Sequence, residues 1–207
     1  MSDERRRHWD QRHGGTSEIG LPSAFVVKAL GTLAQLGAPP TGSSPRALDV
    51  ACGRGRHALL LAEHGYAVEA VDFSLPALLH LKRGASARDR AVACVAADVT
   101  TWPMPTDRYA LVVVVSFLER RLFGALRDAV MPGGSLLYET HVRDESGTAD
   151  AVRPEFVLEP GELDRLCEGW RILLRHTDVA TQGTRRSARA GILAQRPPSP
   201  PPRSRAH

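Results

Sequence analysis

A chain of 207 residues, 43% hydrophobic and 24% charged, has the composition of one globular domain with a sizeable core. No apolar run approaches the ~18 residues of a membrane helix, and the Arg5–Arg7 start lacks a secretory apolar segment, which predicts a cytoplasmic protein. The net charge of +4 rests on arginine, with lysine only at Lys28 and Lys82. There is no basic helix interleaved with aromatics, which argues against a nucleic-acid partner. Cys52, Cys94 and Cys167 have neither disulfide-framework nor metal-ligand spacing.

In chain order, Pro22 to Leu36 places Phe25, Val26, Ala29, Leu30 and Leu33 at helical spacing, with Pro22 suited to the first helical position. Thr41–Pro45 reads as a linker. From residue 46 strands and helices alternate. Ala47–Ala51 is strand one, and Arg56–His64 is a helix ended by Gly65. Ala67–Val71 is strand two, and Ser74 caps a helix through Lys82 with Pro76 in its first turn. Ala91–Ala96 is strand three. Tyr109–Ser116, apolar almost throughout, is a central strand buried on both faces. Glu119–Val130 is a helix, Pro132-Gly133-Gly134 a turn, Ser135–Val142 strand five and Pro160–Glu168 a helix. Trp170–Thr177 and Ser187–Ala194 form an antiparallel edge hairpin.

The pattern predicts an α/β fold: a doubly wound, mostly parallel, seven-stranded Rossmann-like sheet with an antiparallel edge hairpin. One domain is expected over residues 1–196, with 1–45 as an N-terminal helical cap and 46–196 as the core. The proline-rich 197–207 reads as a disordered tail.

Gly53-Arg54-Gly55-Arg56-His57-Ala58 follows a strand and opens a helix, which matches the dinucleotide fingerprint formally. Asp72 at the end of strand two can accept hydrogen bonds from a ribose and suits either a nicotinamide or an adenosyl-sulfonium cofactor. Asp49 separates the two: a carboxylate just before the turn repels a pyrophosphate but attracts a cationic amino-acid tail. Asp98, just after strand three, can accept from an adenine amino group.

With these residues in place the chain resembles the class I S-adenosylmethionine-dependent methyltransferases. The resemblance rests on Leu48–Gly55, Val71–Ser74, Ala97–Val99, Tyr109–Leu118 and Met131–Leu137 in family order. Trp9–Arg12, Ala51–Arg56, Ser116–Arg120 and Leu137–Thr140 bring it nearest to the tellurite-resistance and thiopurine-type enzymes. Ala51 replaces the first turn glycine of the family, a substitution that suits a backbone at negative φ.

The resemblance implies a cofactor site of Asp49, Ala51, Cys52, Gly53, Gly55, Arg56, Asp72, Phe73, Asp98, Val99, Val115 and Ser116. In it Gly53 and Gly55 admit the ligand to bare backbone, Asp72 takes the ribose and Phe73 packs on the adenine. Acceptor-side candidates are Arg12, Arg120 and Arg143 for an anionic group, and His141 as a general base. The implied reaction is direct in-line transfer of a methyl group from S-adenosylmethionine to a thiol, oxyanion or amine on a small molecule, with no metal. The alternatives are a non-catalytic S-adenosylmethionine-binding protein and a nicotinamide-dependent oxidoreductase. A base-modifying nucleic-acid methyltransferase is disfavoured, because Ser116-Phe117-Leu118-Glu119 stands where such enzymes carry Asn/Asp-Pro-Pro-aromatic.

Overall fold

A computed structural model describes residues 19–37, 44–143, 156–182 and 185–199. Helix α1 (Ala24–Gln35) is followed by β1 (Arg46–Val50), α2 (Arg56–Glu63), β2 (Ala67–Asp72), α3 (Leu75–Ser86), β3 (Val92–Ala96) and β4 (Tyr109–Val115). A 3₁₀ turn at Arg120–Leu122 leads into α4 (Phe123–Ala129). Then come β5 (Val130–His141), α5 (Glu162–Leu166), β6 (Arg171–Gln182) and β7 (Arg185–Gln195). The strands form one sheet in the order β3-β2-β1-β4-β5-β7-β6. The first five strands pair in parallel, while β7 pairs antiparallel with both β5 and β6. This is the doubly wound sheet with an antiparallel edge hairpin that the alternation predicts.

Two cores lie on the two faces, because successive strand residues point to opposite sides. Ala47, Val113, Val115, Leu137 and Leu193 pack with α1, α2 and α3. Leu48, Val50, Val112, Val114, Leu136 and Tyr138 pack with α4 and the Leu163 side of α5. Strand order reverses direction between β1 and β4, so the crossovers diverge there and leave a crevice at the strands' C-terminal ends. Among the described residues no helix is long and apolar enough to cross a membrane.

Several local expectations change. Helix α1 starts one residue after Ser23, whose side chain accepts from the Phe25 N–H at 3.2 Å, so Pro22 lies before the cap rather than inside the helix. Helix α3 runs on to Ser86, past Lys82. The helix expected over Glu119–Val130 is split, with Glu119 capping the 3₁₀ turn. The helix expected over Pro160–Glu168 contracts to Glu162–Leu166.

Pro132-Gly133-Gly134 is not a turn ahead of β5 but a register shift within it, between the pairings Tyr109↔Val130 and Leu111↔Ser135. The irregularity holds because Gly133 donates to the Arg196 carbonyl at 3.2 Å and Arg196 donates back to Gly134 at 2.8 Å. A Cβ on Gly134 would stand 2.9 Å from the Met131 carbonyl oxygen, so the chain packs too closely there for a side chain.

The N-terminal helix is docked by shape. A Cβ on Gly191 would lie 2.6 Å from the Phe25 ring, which stacks on His176 at 5.2 Å between centroids. Only the bare backbone of β7 allows α1 that approach. Trp9–Arg12, the Thr41–Ser43 part of the linker and residues 200–207 of the tail lie outside the described residues.

Candidate active site

The crevice is built first by the chain leaving β1. Ala51, Gly53 and Gly55 have φ of 52°, 54° and 80°. The negative φ expected at Ala51 is therefore not adopted. The chain must reverse between β1 and α2, and the Cys52 N–H must meet the Val71 carbonyl at 3.1 Å. That closure forces the left-handed region on an alanine. Gly55 answers to packing as well as to backbone access, since a Cβ there would fall 2.3 Å from the Leu81 side chain of α3.

Asp72 is buried at the tip of β2 and fastens this turn. Its Oδ2 accepts from the Gly53 N–H at 2.8 Å and its Oδ1 from the Ser74 N–H at 2.8 Å. Each carboxylate oxygen retains a second lone pair for a ligand hydroxyl. Phe73 beside it is half-buried. Asp98 is half-buried after β3, where Oδ1 accepts from the Thr100 N–H at 3.0 Å and hydroxyl at 2.7 Å. Burial alone would raise its pKa, but these donors hold it below the usual carboxylate range. Val99 is buried next to it.

Asp49 is 1% exposed. It lies on the α1–α3 face of β1, two residues after Ala47. Burial, with the Asp72 charge, raises its carboxyl to about 7, against a hydrogen bond from the Ala58 backbone and the Arg56 charge, which lower it. Its Oδ2 has no partner among the described residues. The Cys52 thiol is buried and its pKa pushed well up, so the backbone rather than a thiolate is what this residue offers.

A second group forms where β4 and β5 end. Val115 is buried, and Ser116 is exposed with φ of 59°, its N–H donating to the Glu139 carbonyl at 2.8 Å. Glu139 is 3% exposed on the same face as Asp49, and its Oε1 accepts from Arg189 Nε at 3.2 Å. Arg189 also donates to Ser116 Oγ at 2.9 Å. His141, opposite Arg189 in the β5–β7 register, is half-buried. Burial first, then the Arg189 charge, lowers its pKa and keeps it neutral near pH 7. Arg56 at the start of α2 donates to the Leu21 carbonyl at 3.2 Å, and burial and Arg189 lower its pKa.

The fold therefore gathers Asp49, Ala51–Gly55, Arg56, Asp72, Asp98, Ser116 and His141 along the C-terminal edge of the sheet. Two acceptor-side arginines are used otherwise. Arg120 makes a two-pronged contact with Glu162, at 2.5 and 2.9 Å, and donates to the Val157 carbonyl. Arg143 pairs with Glu159 at 3.0 Å. Both tie the chain around α5 to the strand tips, and a guanidinium neutralised this way is a poor anion site. Arg12 lies outside the described residues. A cavity of about 670 Å³ opens elsewhere, over Ala188, Ala190 and Ile192 and beside α5, away from the glycine turn.

Glu139 and Arg189 are the site residues the sequence reading omits. A glutamate directly after the apolar run Leu136–Tyr138, within the same strand, was the available signal, since an acid is rarely fully buried without a partner. Nothing local marks Arg189.

An adenosyl-sulfonium cofactor fits these residues. The orphaned Asp49 oxygen needs a donor, and the turn offers bare backbone at the N-terminus of α2.

Residues 47–134 match the family described as methyltransferase domain. No curated protein matches the chain by sequence. Among solved structures, TehB from Haemophilus influenzae aligns at a TM-score of 0.69 and 18% identity, over 93% of this chain and 67% of that one. A structure described by the conversion of a disulfide bond into a thioacetal group during echinomycin biosynthesis aligns at 0.67 and 21% identity, over 93% and 91%. A SAM-dependent methyltransferase from Methanosarcina mazei aligns at 0.65 and 14% identity, over 87% and 100%. Residues 47–134 are thus similar to a methyltransferase domain, and the chain shares its fold with these solved structures, a SAM-dependent methyltransferase among them.

Proposed function

We propose that the protein binds S-adenosylmethionine and transfers its methyl group to a nucleophile on a small molecule. The observation that carries this reading is Asp49. A buried carboxylate with an unpartnered oxygen behind a glycine turn calls for a cationic ligand group and opposes a pyrophosphate. The small-molecule class is supported by the likeness to the structure tied to echinomycin biosynthesis, whose described chemistry acts on sulfur.

When bound, S-adenosylmethionine supplies an electrophilic methyl carbon on a cationic sulfur. The protein's share is binding and alignment. Asp72 and the Gly53 turn hold the ribose side, Asp98 and Val99 the adenine, and Asp49 the amino group. The Ser116 backbone closes the sulfur end. His141, uncharged near pH 7, stands ready to take a proton from the acceptor at a ring nitrogen. A thiolate or free amine needs no such help.

Calorimetric titration with S-adenosylmethionine, S-adenosylhomocysteine and NAD(H) tests the cofactor. Binding of the first two and not the last is expected, and the reverse sinks the proposal. Release of S-adenosylhomocysteine with a panel of thiols, amines and oxyanions then separates an enzyme from a binding protein.

A further inference from the structure

The cavity of about 670 Å³ beside α5 plays no part in the function proposed above. Protein interiors are close-packed, so a space of this size needs a cause. Its floor is a grid of paired residues on the edge hairpin: Val179 opposite Ala188, Thr177 opposite Ala190 and Arg175 opposite Ile192. Two alanines at alternate positions of β7 leave the floor low. Helix α5 has five residues and spans about 8 Å, whereas β7 has eleven and runs about 35 Å, so the helix walls the space without filling it. Val142 closes one end, where its N–H donates to the Ala188 carbonyl at 3.0 Å.

The charges around the cavity are matched in pairs. Arg143 meets Glu159 at 3.0 Å, Arg175 meets Asp164 at 2.7 Å, and Glu162 is held by Arg120. Neither arginine of the lining is left to balance an anion, and each acid of the lining already has a cation. The His176 ring turns to the other face of the sheet, where it stacks on Phe25. Alanine, valine and isoleucine side chains and the Thr177 hydroxyl form the space between these pairs. Small-molecule sites are cavities of roughly 300–1,000 Å³ with mainly apolar linings and few polar groups.

We infer that this cavity is a second binding site, for an uncharged and mainly apolar small molecule. It is separate from the cofactor crevice. Ala188, Ala190 and Ile192 lie on the α4–α5 face of the sheet, and Asp49 lies on the opposite face.

The test is a fluorescence titration of the full chain with Nile red, an uncharged apolar dye, with and without S-adenosylhomocysteine. One saturable site is expected, and it should persist in excess S-adenosylhomocysteine. Ala190→Phe, which raises the floor with an aromatic ring, should weaken the dye about 10-fold or more and leave S-adenosylhomocysteine affinity unchanged by calorimetry. Non-saturating uptake, displacement of the dye by S-adenosylhomocysteine, or full dye affinity in the variant would overturn the inference. Should that variant not fold, Val179→Glu places a carboxylate at the exposed edge of the floor and should produce the same loss. The anionic dye anilinonaphthalene sulfonate, titrated with S-adenosylhomocysteine present, should bind the wild type about 10-fold or more weaker than Nile red. Equal affinity refutes the uncharged class. If S-adenosylhomocysteine itself does not bind, the proposed function fails, while the Nile red titration still decides the cavity.

Discussion

Asp72 reaches back nineteen residues to accept the Gly53 backbone N–H at 2.8 Å, so one carboxylate joins the tip of β2 to the turn leaving β1. Its other oxygen holds Ser74 at the start of α3. The shape of the turn is thereby a tertiary property, supported by a second strand.

Removing that carboxylate should act twice. Asp72→Ala is expected to lower unfolding free energy by ~1–3 kcal/mol through two orphaned backbone N–H groups, and to weaken S-adenosylhomocysteine by a comparable amount. Urea melts and calorimetry measure the two effects separately. Full affinity in a folded variant would place the ribose elsewhere.

Ala51 occupies a left-handed conformation at φ 52°. Strain of this kind costs on the order of 1–3 kcal/mol, part of which glycine returns as unfolded-state entropy. Ala51→Gly should therefore stabilise the protein by about 1 kcal/mol in a urea melt. A destabilised variant would mean that the turn favours the alanine methyl for packing.

Gly55 combines φ of 80° with a Leu81 side chain 2.3 Å from the position of a Cβ. Gly55→Ala is expected to cost about 1–3 kcal/mol. Made on a Leu81→Ala background it should cost less, because the steric part has been removed. Strict additivity would leave backbone strain as the whole effect.

Asp49 sets one pH dependence. Its folded pKa, about 7, exceeds the reference value of 3.8. The folded state then binds more protons between those values, so stability is fully present below about pH 4 and declines as pH rises towards 7. Asp49→Asn should flatten that decline in urea midpoints measured from pH 4 to 8. A cationic ligand at this carboxylate should favour its charged form, so S-adenosylhomocysteine binding at pH 6 should release protons. Buffers of differing ionisation enthalpy detect that release.

His57 sets the opposite slope. Its Nε2 accepts from the Ser23 N–H at 3.2 Å at the N-cap of α1. Burial, then Arg56 and Arg189, lowers its pKa from 6.5 to about 3. The unfolded state takes the proton first, so stability is present above pH 6.5 and is lost as pH falls towards 3. His57→Gln should remove that acid sensitivity while keeping an acceptor for Ser23. An unchanged acid limb would assign it to other groups.

Much of this protein can be read along the chain. The apolar runs of β1 and β4, the Ser74 cap and the glycines after β1 are short-range signals. A strand's period, a cap's oxygen and a left-handed turn each act within a few residues. Asp49, Asp72 and Asp98 were legible for the same reason, since each stands at or near the end of a strand whose place in a doubly wound sheet follows from the alternation.

Other features needed the folded sheet. Arg189 meets Glu139 across 50 residues and Ser116 across 73, and only the insertion of β7 beside β5 brings them within reach. The same holds for Arg120 and Arg143, which read as anion binders until Glu162 of α5 and Glu159 just before it pair with them. The sequence by itself determined the alternating fold, the glycine turn and its acids, because local sterics and periodicity suffice for those. Tertiary structure decided the positive φ at Ala51 and which charges meet at the strand tips, because strand order rather than spacing along the chain sets those neighbours.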